Sequence, residues 1–538
     1  MKLRVTLASL IAGRIDGEGE PAELAVELAS QLLEEGEAEI RVIIPGFAQI
    51  TGTCPTLAHR FDEGNLFRRG LPVPFGNSVE SVDVYRAVVQ HPRTKRRLFF
   101  YLFRCPKVFD APDATGRIQK ETPDKAIFFC RALLEFIRTE PRAETDVLHC
   151  NDWHTGLIPV YLRTLYQDDP LLRGVATVYT THHAGGGFQG SFADPMRWLA
   201  LAGLQKCDVF RLGHTLSLEH HGRFSFTKGG VGFADLVNTV SRQHRAELRT
   251  PAFGGLLEGV LRERDTSFEG IQSGIDHHQW NPATDPYLKP ANFSDAASRR
   301  EARHPLRCKL RQWRAPDLTR PLERLGDELL FTAVTPITRQ KMPILLRTLA
   351  RVTDNRRSQL VLLGDSIPGD PYGEAAVEEL FRIAEREGPR VIFVRQQDET
   401  LAHLLVAASD IFLIPSVSEP SGSSALIAMR YGTIPIGRAV GALVDCIVDE
   451  NDPRHRDRAN GFLFRETLAP NQILDDVAAA DAFIATAQRA ARLYREKPRR
   501  WAELVRNALH YDSSWAAPSA RYLHLYREAT RRATLREL

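Results

Sequence analysis

A single carboxylate, Glu419, lies in a turn rich in Pro, Ser and Gly between an apolar run and a helix-forming stretch. The apolar run, residues 411–414, predicts a buried parallel strand, and the stretch from Ser424 to Tyr431 predicts a helix that Gly432 ends. The first N–H groups of a helix and its positive dipole end bind anions such as phosphate. Glu419 would repel a phosphate, so we expect it to accept hydrogen bonds from sugar hydroxyls. A sugar next to a phosphate describes a nucleotide sugar.

The sequence around this turn resembles the donor site of bacterial glycogen synthases and plant starch synthases. Their motif contains a Glu-Pro-Cys-Gly turn, a Tyr-Gly-Thr-Ile-Pro segment and a Gly-Gly-Leu-Ala-Asp turn. The matching residues here are Glu419-Pro420-Ser421-Gly422, Tyr431-Gly432-Thr433-Ile434-Pro435 and Gly441-Ala442-Leu443-Val444-Asp445. The resemblance extends over nearly the whole chain, from Leu3 to about Tyr526, and includes the segment HCNDWHTGL at residues 149–157.

The elements that must position these residues alternate between short apolar strands and amphipathic helices. In the first half, strands are predicted at residues 3–11, 40–44, 147–149 and 175–181, and helices at 22–35 and 155–167. A second βα series is predicted at residues 329–334, 344–352, 359–363, 374–387, 391–394, 401–408 and 411–414. This alternation predicts an α/β fold of two doubly wound parallel-sheet (Rossmann-like) domains facing across a cleft. The resemblance implies the same arrangement, called GT-B.

The predicted domain boundaries follow from where this alternation stops and resumes. We place an N-terminal domain at residues 1–318, a C-terminal nucleotide-sugar-binding domain at 319–500, and C-terminal helices at 501–538 that return to the N-terminal domain. The charged region 281–324 lacks sustained periodicity and is predicted to contain the crossing between the domains. The arginine-rich run 299–303 is predicted to be a solvated helix face, because its charges are interleaved with acidic and apolar residues.

The resemblance implies a retaining transfer of glucose from a nucleotide donor, ADP-glucose in bacteria, to an α-1,4-glucan or related oligosaccharide. It assigns catalysis to His182, Lys341 and Glu419, with Lys341 taking charge from the leaving diphosphate. It places Asp152 and His154 on the acceptor side. The donor-binding residues that it implies are Arg14, Gly17, Gly19, Ser273, Arg339, Gln397, Ser421, Gly422, Ser423 and Ser424.

Plain structural interpretations stay open for several of these residues. His182 could be a hydrogen-bonded core histidine at the end of a strand, and Lys341 a solvated loop lysine. Asp152 and His154 could cap the helix that begins near Thr155.

Some positions depart from the family pattern. Pro336 stands where the family has an arginine that takes charge, although Arg339 lies three residues further on. The phosphate loop keeps a cation at Arg14 but gains negative charge, Ser273 replaces an Asn, and Gln396-Gln397 replace Gly-Tyr. Two alternatives therefore stay open: a catalytically weakened homologue that binds glucan or nucleotide in a regulatory role, and a transferase with a different donor or acceptor.

Composition excludes several other classes of protein. The 538-residue chain has 70 basic and 67 acidic residues and a net charge of +3, which argues against a nucleic-acid partner. The seven cysteines contain no CxxC pair, as expected of a reduced, cytoplasmic protein without a zinc site. No segment approaches the roughly 20 apolar residues of a membrane span. We expect no metal and no cofactor, with the nucleotide sugar as substrate; the oligomeric state stays open.

Overall fold

The computed structural model describes residues 2–9, 20–47, 63–91, 94–111, 122–185, 189–314, 322–341, 343–352, 358–367, 369–396, 398–466 and 476–537. The chain divides into two compact units. The first unit contains residues 1–271 and 515–538, and the second contains residues 272–514. Each unit has its own hydrophobic core.

The first unit is built on a nine-stranded sheet and a small three-stranded sheet. In chain order its strands are β1 (Leu3–Ala8), β2 (Ala38–Pro45), β3 (Leu66–Phe75), β4 (Ser78–Gln90), β5 (Arg97–Arg104), β6 (Val147–Asn151), β7 (Ala176–Thr180), β8 (Ser191–Phe192), β9 (Glu219–His220), β10 (Arg223–Ser225), β11 (Leu236–Thr239) and β12 (Phe268–Gly270). The large sheet has the order β12-β11-β7-β6-β1-β2-β5-β4-β3. Its strands pair in parallel except where β4 pairs with β3 and β5.

The helices of the first unit cover this sheet. Before the second unit they are α1 (Glu20–Glu35), α2 (Pro106–Phe109), α3 (Pro123–Thr139), α4 (Leu157–Leu162), α5 (Pro195–Ala202), α6 (Phe226–Phe233), α7 (Arg242–Leu248) and α8 (Glu258–Glu263). Helix α3 shows why the sequence folds this way: Pro123 opens it at a position where its missing N–H costs nothing, and most of its apolar residues are buried.

The second unit is a six-stranded parallel sheet. Its strands are β13 (Leu329–Val334), β14 (Ser358–Gly364), β15 (Val391–Arg395), β16 (Ile411–Ile414), β17 (Ile434–Arg438) and β18 (Phe462–Phe464). Its helices are α9 (Ala296–Arg311), α10 (Pro343–Val352), α11 (Pro371–Glu387), α12 (Glu399–Ala408), α13 (Ser423–Arg430), α14 (Ala442–Cys446), α15 (Asp476–Glu496) and α16 (Pro498–His510). The last helix of the chain, α17 (Ala516–Glu537), belongs to the first unit.

Both large sheets have a doubly wound strand order, which confirms the predicted fold class. In the second sheet the order is β15-β14-β13-β16-β17-β18, so β13 and β16 are neighbours although two strands lie between them in the chain. In the first sheet β1 and β6 are neighbours in the same sense. Ligands of such sheets bind at the carboxyl ends of the strands where the order reverses.

The buried strands explain why the sequence pattern was informative. All four residues of β16 are buried, as the unbroken apolar run 411–414 predicted. A parallel strand covered on both faces has no solvent side, so it needs no alternation of polar residues. The predicted β13 and β16 coincide with the observed strands, and the other predicted strands and helices of the second unit overlap observed elements.

The predicted domain boundaries were wrong. The first unit ends at residue 271 instead of 318, and residues 501–514 lie in the second unit, so only 515–538 return to the first. The region 281–324, predicted to contain the crossing between the domains, lies in the second unit and contains helix α9, which begins with a capping box between Asp295 and Ser298. In the run 299–303, predicted to be a solvated helix face, Arg300 and Glu301 are exposed but Arg299 is buried, so the prediction was wrong for Arg299. Arg307, further along the helix, is buried as well.

Buried ion pairing explains how arginines can lie in this core. Arg307 and Arg303 both pair with the buried carboxylate of Asp410, and Arg299 donates to the backbone carbonyls of Ser409 and Tyr431. A charge pattern that is typical of an exposed face therefore packs against helix α12 here. Within the described ranges, none of the helices is long and apolar enough to cross a membrane.

Candidate active site

Lys341 and Glu419 form an ion pair in the second unit. Lys341 follows β13 and Glu419 follows β16, so the two neighbouring strands bring both side chains to the same edge of the sheet. Only 1% of the Glu419 side chain and 15% of the Lys341 side chain is exposed. A buried carboxylate needs a partner, and Lys341 supplies it. The alternative that Lys341 is a solvated loop lysine is therefore wrong.

The loops that carry the pair are joined by backbone and amide hydrogen bonds. The N–H of Val417 donates to the carbonyl of Gln340 at 3.0 Å. The side-chain amide of Gln340 donates to the carbonyl of Ser418 at 2.8 Å. Together with Thr335, Ser416 and Ser424, the two charged residues line a small pocket. The relative position of Lys341 and Glu419 is thus fixed by the loops as well as by their charges.

Two glycines fix the turn that follows Glu419. Gly422 precedes helix α13 with φ of 68°, and Gly441 precedes helix α14 with φ of 50°. A Cβ on Gly441 would lie 2.0 Å from the carbonyl oxygen of Glu419. That carbonyl also accepts a hydrogen bond from Ala442 N at 2.8 Å. Only glycine fits at position 441, and its close approach holds the backbone of Glu419 in place.

The N-terminus of helix α13 begins directly after this turn. Ser423 and Ser424 occupy its first turn and are half-buried, while Ser421 and Gly422 are buried. The first N–H groups of a helix have no partner within the helix, so they can donate to an anion. The structure therefore brings a carboxylate, a lysine and a helix N-terminus together, as the sequence predicted.

The remaining predicted donor residues of the second unit lie in different surroundings. Arg339 is exposed, and its guanidinium lies over the ring of Tyr372, 5.5 Å from the ring centroid. Ser273 is buried next to Gln272, whose amide donates to the carbonyl of Ser421 at 3.0 Å. Lys341 is thus the described cation that pairs with Glu419, and Arg339 packs elsewhere.

A second pair, Asp152 and His182, lies in the first unit. Asp152 Oδ1 accepts from the backbone N–H of His182 at 2.9 Å, and Oδ2 accepts from its ring Nδ1 at 2.9 Å. Asp152 makes no capping hydrogen bond to the 3-10 helix Trp153–Thr155, and Gly156 is the N-cap of helix α4. The alternative that Asp152 caps the helix near Thr155 is therefore wrong. Because the carboxylate of Asp152 can only accept, Nδ1 is the donor in this contact, and Nε2 is the ring nitrogen that Asp152 does not contact.

The backbone of Asp152 is strained, with φ of 57° and ψ of −179°. This region is almost restricted to glycine, and such strain persists where the surroundings fix it, often at functional sites. Burial by itself raises the pKa of Asp152, but the charge and hydrogen bonds of His182 outweigh it and hold the pKa below its ordinary value. The pair is therefore an ionised carboxylate that orients an imidazole.

Two buried histidines of the segment 149–157, His149 and His154, lie outside the Asp152–His182 pair. His154 lies against the Trp153 ring at 3.8 Å between centroids, and its carbonyl accepts from Cys130 Sγ at 3.2 Å. Burial lowers its pKa to about 3. His149, beneath the site, also has its pKa lowered to about 3 by burial. Both are neutral at pH 7, so neither supplies positive charge.

Sequence reasoning missed the groups that support His182. Its carbonyl accepts from His244 Nε2 at 2.9 Å. Beneath it, Tyr526 contacts His149 Nδ1 at 2.9 Å, and His149 Nε2 contacts the Thr180 hydroxyl at 2.6 Å. Thr180 gives its single proton to Asn238 at 2.6 Å, so Nε2 must donate to Thr180 and Tyr526 must donate to Nδ1. No local pattern could reveal a contact between residues 377 positions apart.

Four predicted donor residues lie outside the described residues: Arg14, Gly17, Gly19 and Gln397. The described groups nevertheless have a defined chemistry. Glu419 accepts hydrogen bonds, Asp152 orients the ring of His182, and Lys341 and the first turn of helix α13 favour negative charge.

Comparison with known proteins defines the class first. Residues 18–263 match the family model described as starch synthase catalytic domain, and residues 327–485 match the one described as glycosyl transferases group 1. The catalytic domain of starch synthase IV from Arabidopsis thaliana, solved with ADP and acarbose, superimposes with a TM-score of 0.79 at 25% identity, over 98% of this chain and 99% of that one. The fold is that of a GT-B glycosyltransferase.

Curated relatives then define the family. The glycogen synthase of Pseudothermotoga lettingae is 32% identical, over 93% of this chain and 94% of the relative. The glycogen synthase of Syntrophotalea carbinolica is 32% identical, over 98% of this chain and 99% of the relative. The chain therefore belongs to the glycogen and starch synthase family of glucosyltransferases.

Proposed function

We propose that this glucosyltransferase moves glucose from ADP-glucose to an α-1,4-glucan or related oligosaccharide, with retention of the α-configuration. The choice of donor and acceptor is supported by the Arabidopsis starch synthase, whose structure holds ADP and acarbose. It is supported as well by the glycogen synthases that resemble this chain over nearly its full length.

The observation that carries the proposal is the Lys341–Glu419 pair in front of helix α13. Glu419 accepts hydrogen bonds from hydroxyls of the donor glucose. Lys341 and the helix N-terminus stabilise the charge that develops on the diphosphate as it leaves. Since these donors are already oriented by the protein, little reorganisation is needed in the transition state.

The Asp152–His182 pair contributes an imidazole of fixed orientation. Because Nδ1 donates to Asp152, Nε2 is the ring nitrogen that contacts a sugar hydroxyl and orients the glucose. Asp152 is a positioning residue in this scheme, and His182 is the group that contacts substrate. We assign His154 to the acceptor side, where its ring packs against that of Trp153.

We further propose that the reaction needs no metal ion or cofactor. The charge of the diphosphate is met by Lys341, Arg14 and the N–H groups near Ser423 and Ser424. The observation behind this is the cation already in contact with Glu419. EDTA should therefore leave turnover unchanged, and activity that is lost in EDTA and restored by Mg²⁺ or Mn²⁺ would refute this part of the proposal.

A weakened or altered enzyme is the second candidate, and one feature favours it. Pro336 replaces a family arginine, and Arg339 lies over Tyr372 instead of Glu419. Loss of one such charge-stabilising group costs about 10²–10³ in rate, by analogy with the removal of one oxyanion donor. A homologue of this kind would bind nucleotide or glucan with little turnover.

Transfer of labelled glucose to glycogen from ADP-glucose and from UDP-glucose tests the proposal, with donor hydrolysis measured in parallel. Glycogen labelling with ADP-glucose as the better donor supports it. Binding of nucleotide without transfer supports the weakened homologue. Transfer from either donor only to small acceptors overturns the proposed acceptor but keeps the class of enzyme.

A further inference from the structure

The amide of Gln272 lies against the turn that precedes helix α13. Its Nε2 donates to the carbonyl of Ser421 at 3.0 Å. A carbonyl oxygen only accepts hydrogen bonds, so this contact fixes which end of the amide faces the turn. The amide oxygen, Oε1, must take the opposite side.

The Oε1 atom of Gln272 is buried and has no hydrogen-bond partner among the residues that the structure describes. The hydroxyl of the neighbouring Ser273 is also buried and also has no hydrogen-bond partner among the described residues, and Ser273 is only 3% exposed. Buried polar atoms are almost always hydrogen-bonded, because removing them from water without a partner is unfavourable. An unpaired acceptor next to a ligand-binding turn therefore calls for a partner beyond the described residues.

The chemistry of the atom limits what that partner can be. Oε1 of a glutamine can accept but cannot donate, so the partner must carry an O–H or N–H group. A diphosphate at the N-terminus of helix α13 has only accepting oxygens at neutral pH and does not qualify. A sugar held by Glu419, two residues before Ser421, carries several hydroxyls.

We propose that Gln272 is a specificity-determining residue that accepts a hydrogen bond from one hydroxyl of the transferred sugar. This inference rests on the proposed function and extends it to a residue that no motif singled out. The Ser421 carbonyl holds the amide in the accepting orientation before the sugar arrives. Gln272, in the segment 272–276, thus accepts a hydrogen bond from one hydroxyl of the sugar, while Glu419, in the turn, accepts hydrogen bonds from others.

Isothermal titration calorimetry on the wild type and on Gln272→Leu tests the proposal. The affinities to be measured are those for ADP-glucose, for its analogues that lack one hydroxyl of the glucose ring, and for ADP. For the wild type we expect one monodeoxy analogue to bind about tenfold more weakly than ADP-glucose, the effect of one neutral hydrogen bond. In Gln272→Leu that penalty should disappear, and the affinity for ADP should stay unchanged.

Gln359→Leu is the matched control. Gln359 lies in the same unit, and its amide is satisfied within the protein: Nε2 donates to the carbonyls of Arg324 and Pro389, and Oε1 accepts from Gly326 N. This variant should lose stability but keep the penalty for the deoxy analogue. A purely structural role of Gln272 would make the two variants behave alike.

Three outcomes distinguish a failure of the inference about Gln272 from a failure of the proposed function. An unchanged deoxy penalty in Gln272→Leu overturns the inference, as expected if Oε1 meets only an ordered water. Weaker binding of ADP itself by this variant also overturns it, since the contact would then lie on the base or the ribose. Failure of the wild type to bind any nucleotide sugar overturns the proposed function instead.

Discussion

At the scale of single residues, the Asp152 side chain has two effects: it makes the backbone conformation at position 152 unfavourable, and it holds His182. Its φ of 57° is unfavourable for a non-glycine residue, and its carboxylate holds His182 at two points. Removal of the side chain should therefore lower the activity while changing the stability little. Such a division is expected where strain is maintained for function.

We predict that Asp152→Gly lowers glucosyl transfer at least about 100-fold while leaving the free energy of unfolding within about 1 kcal/mol of wild type. Glycine relieves strain of roughly 1–3 kcal/mol, which offsets the lost hydrogen bonds. Kinetics and urea unfolding measure the two effects. Asp194→Gly is the matched control, because Asp194 also has positive φ, is exposed, and makes no capping bond. It should keep full activity, and activity retained in Asp152→Gly would remove Asp152 from the site.

The two buried histidines of the motif predict a pH dependence of stability. His149 and His154 have pKa values of about 3 in the folded protein, against 6.5 when exposed. Below pH 6.5 the unfolded chain therefore binds more protons than the folded one, and stability falls with pH down to about 3. At pH 5 the loss is about 2 kcal/mol for each histidine, from 1.36 kcal/mol per pH unit.

Urea unfolding between pH 7.5 and 5 measures this loss. His154→Gln should reduce the slope of unfolding free energy against pH, because only one of the two groups then titrates. Equal slopes for the wild type and His154→Gln would contradict the neutral, buried state of this ring.

The sequence located the central residues but not their partners. Glu419 and Lys341 could be predicted because the strand, turn and helix around Glu419 are local patterns and the lysine belongs to a matching motif. Asp152 was predicted to lie on the acceptor side, but its hydrogen bonds with His182 were not predicted. His244, Tyr526 and Gln272 could not be found, since their contacts depend on how distant segments pack.

At the scale of elements, helix α9 shows how charge misleads sequence interpretation. Five arginines and few large apolar residues in residues 296–311 predict an exposed helix. Asp410 reverses this outcome, because a buried carboxylate before β16 pairs with Arg303 and Arg307. The position of Asp410 next to the helix is a tertiary fact that periodicity cannot supply.

We predict that Arg307→Met destabilises the protein by about 3 kcal/mol. Arg307 is fully buried, and its loss leaves part of the Asp410 charge without a partner; Arg303 still pairs with Asp410, which keeps the cost at the low end of the range for a broken buried pair. Urea unfolding provides the measurement. Arg300→Met, on the exposed side of the same helix, should change stability by less than about 0.5 kcal/mol. Similar effects of both variants would refute the buried network.

At the scale of the whole molecule, the number of domains was predictable and their limits were not. A chain of 538 residues with two βα series implies two cores. The change of unit at residue 271 falls where no break in composition occurs, and the return at residue 515 falls between two helices of similar character. Contacts across the sequence, rather than composition, decide to which unit a helix belongs.

We predict that a chain ending at residue 514 loses the structure of the first unit and keeps that of the second. Helix α17 contacts α1, β6 and β7, and it buries Trp515, Tyr522, Leu525 and Tyr526 in the first core. Removing four large buried side chains costs several kcal/mol. Hydrogen exchange should show loss of protection in β6 and β7 with protection retained in β13 and β16. Uniform loss or uniform retention would contradict this division.

The most direct test of the whole account is the turnover number for glucose transfer by Glu419→Gln. The amide keeps the shape of the side chain. It removes the negative charge that pairs with Lys341 and that strengthens the hydrogen bonds from sugar hydroxyls. We predict a loss of about 10²–10³ in kcat, comparable to the removal of one preorganised catalytic hydrogen bond. Glu450→Gln, at another buried and ion-paired glutamate of the same unit, should stay within about twofold of wild type. Full turnover by Glu419→Gln would contradict the assignment of the active site.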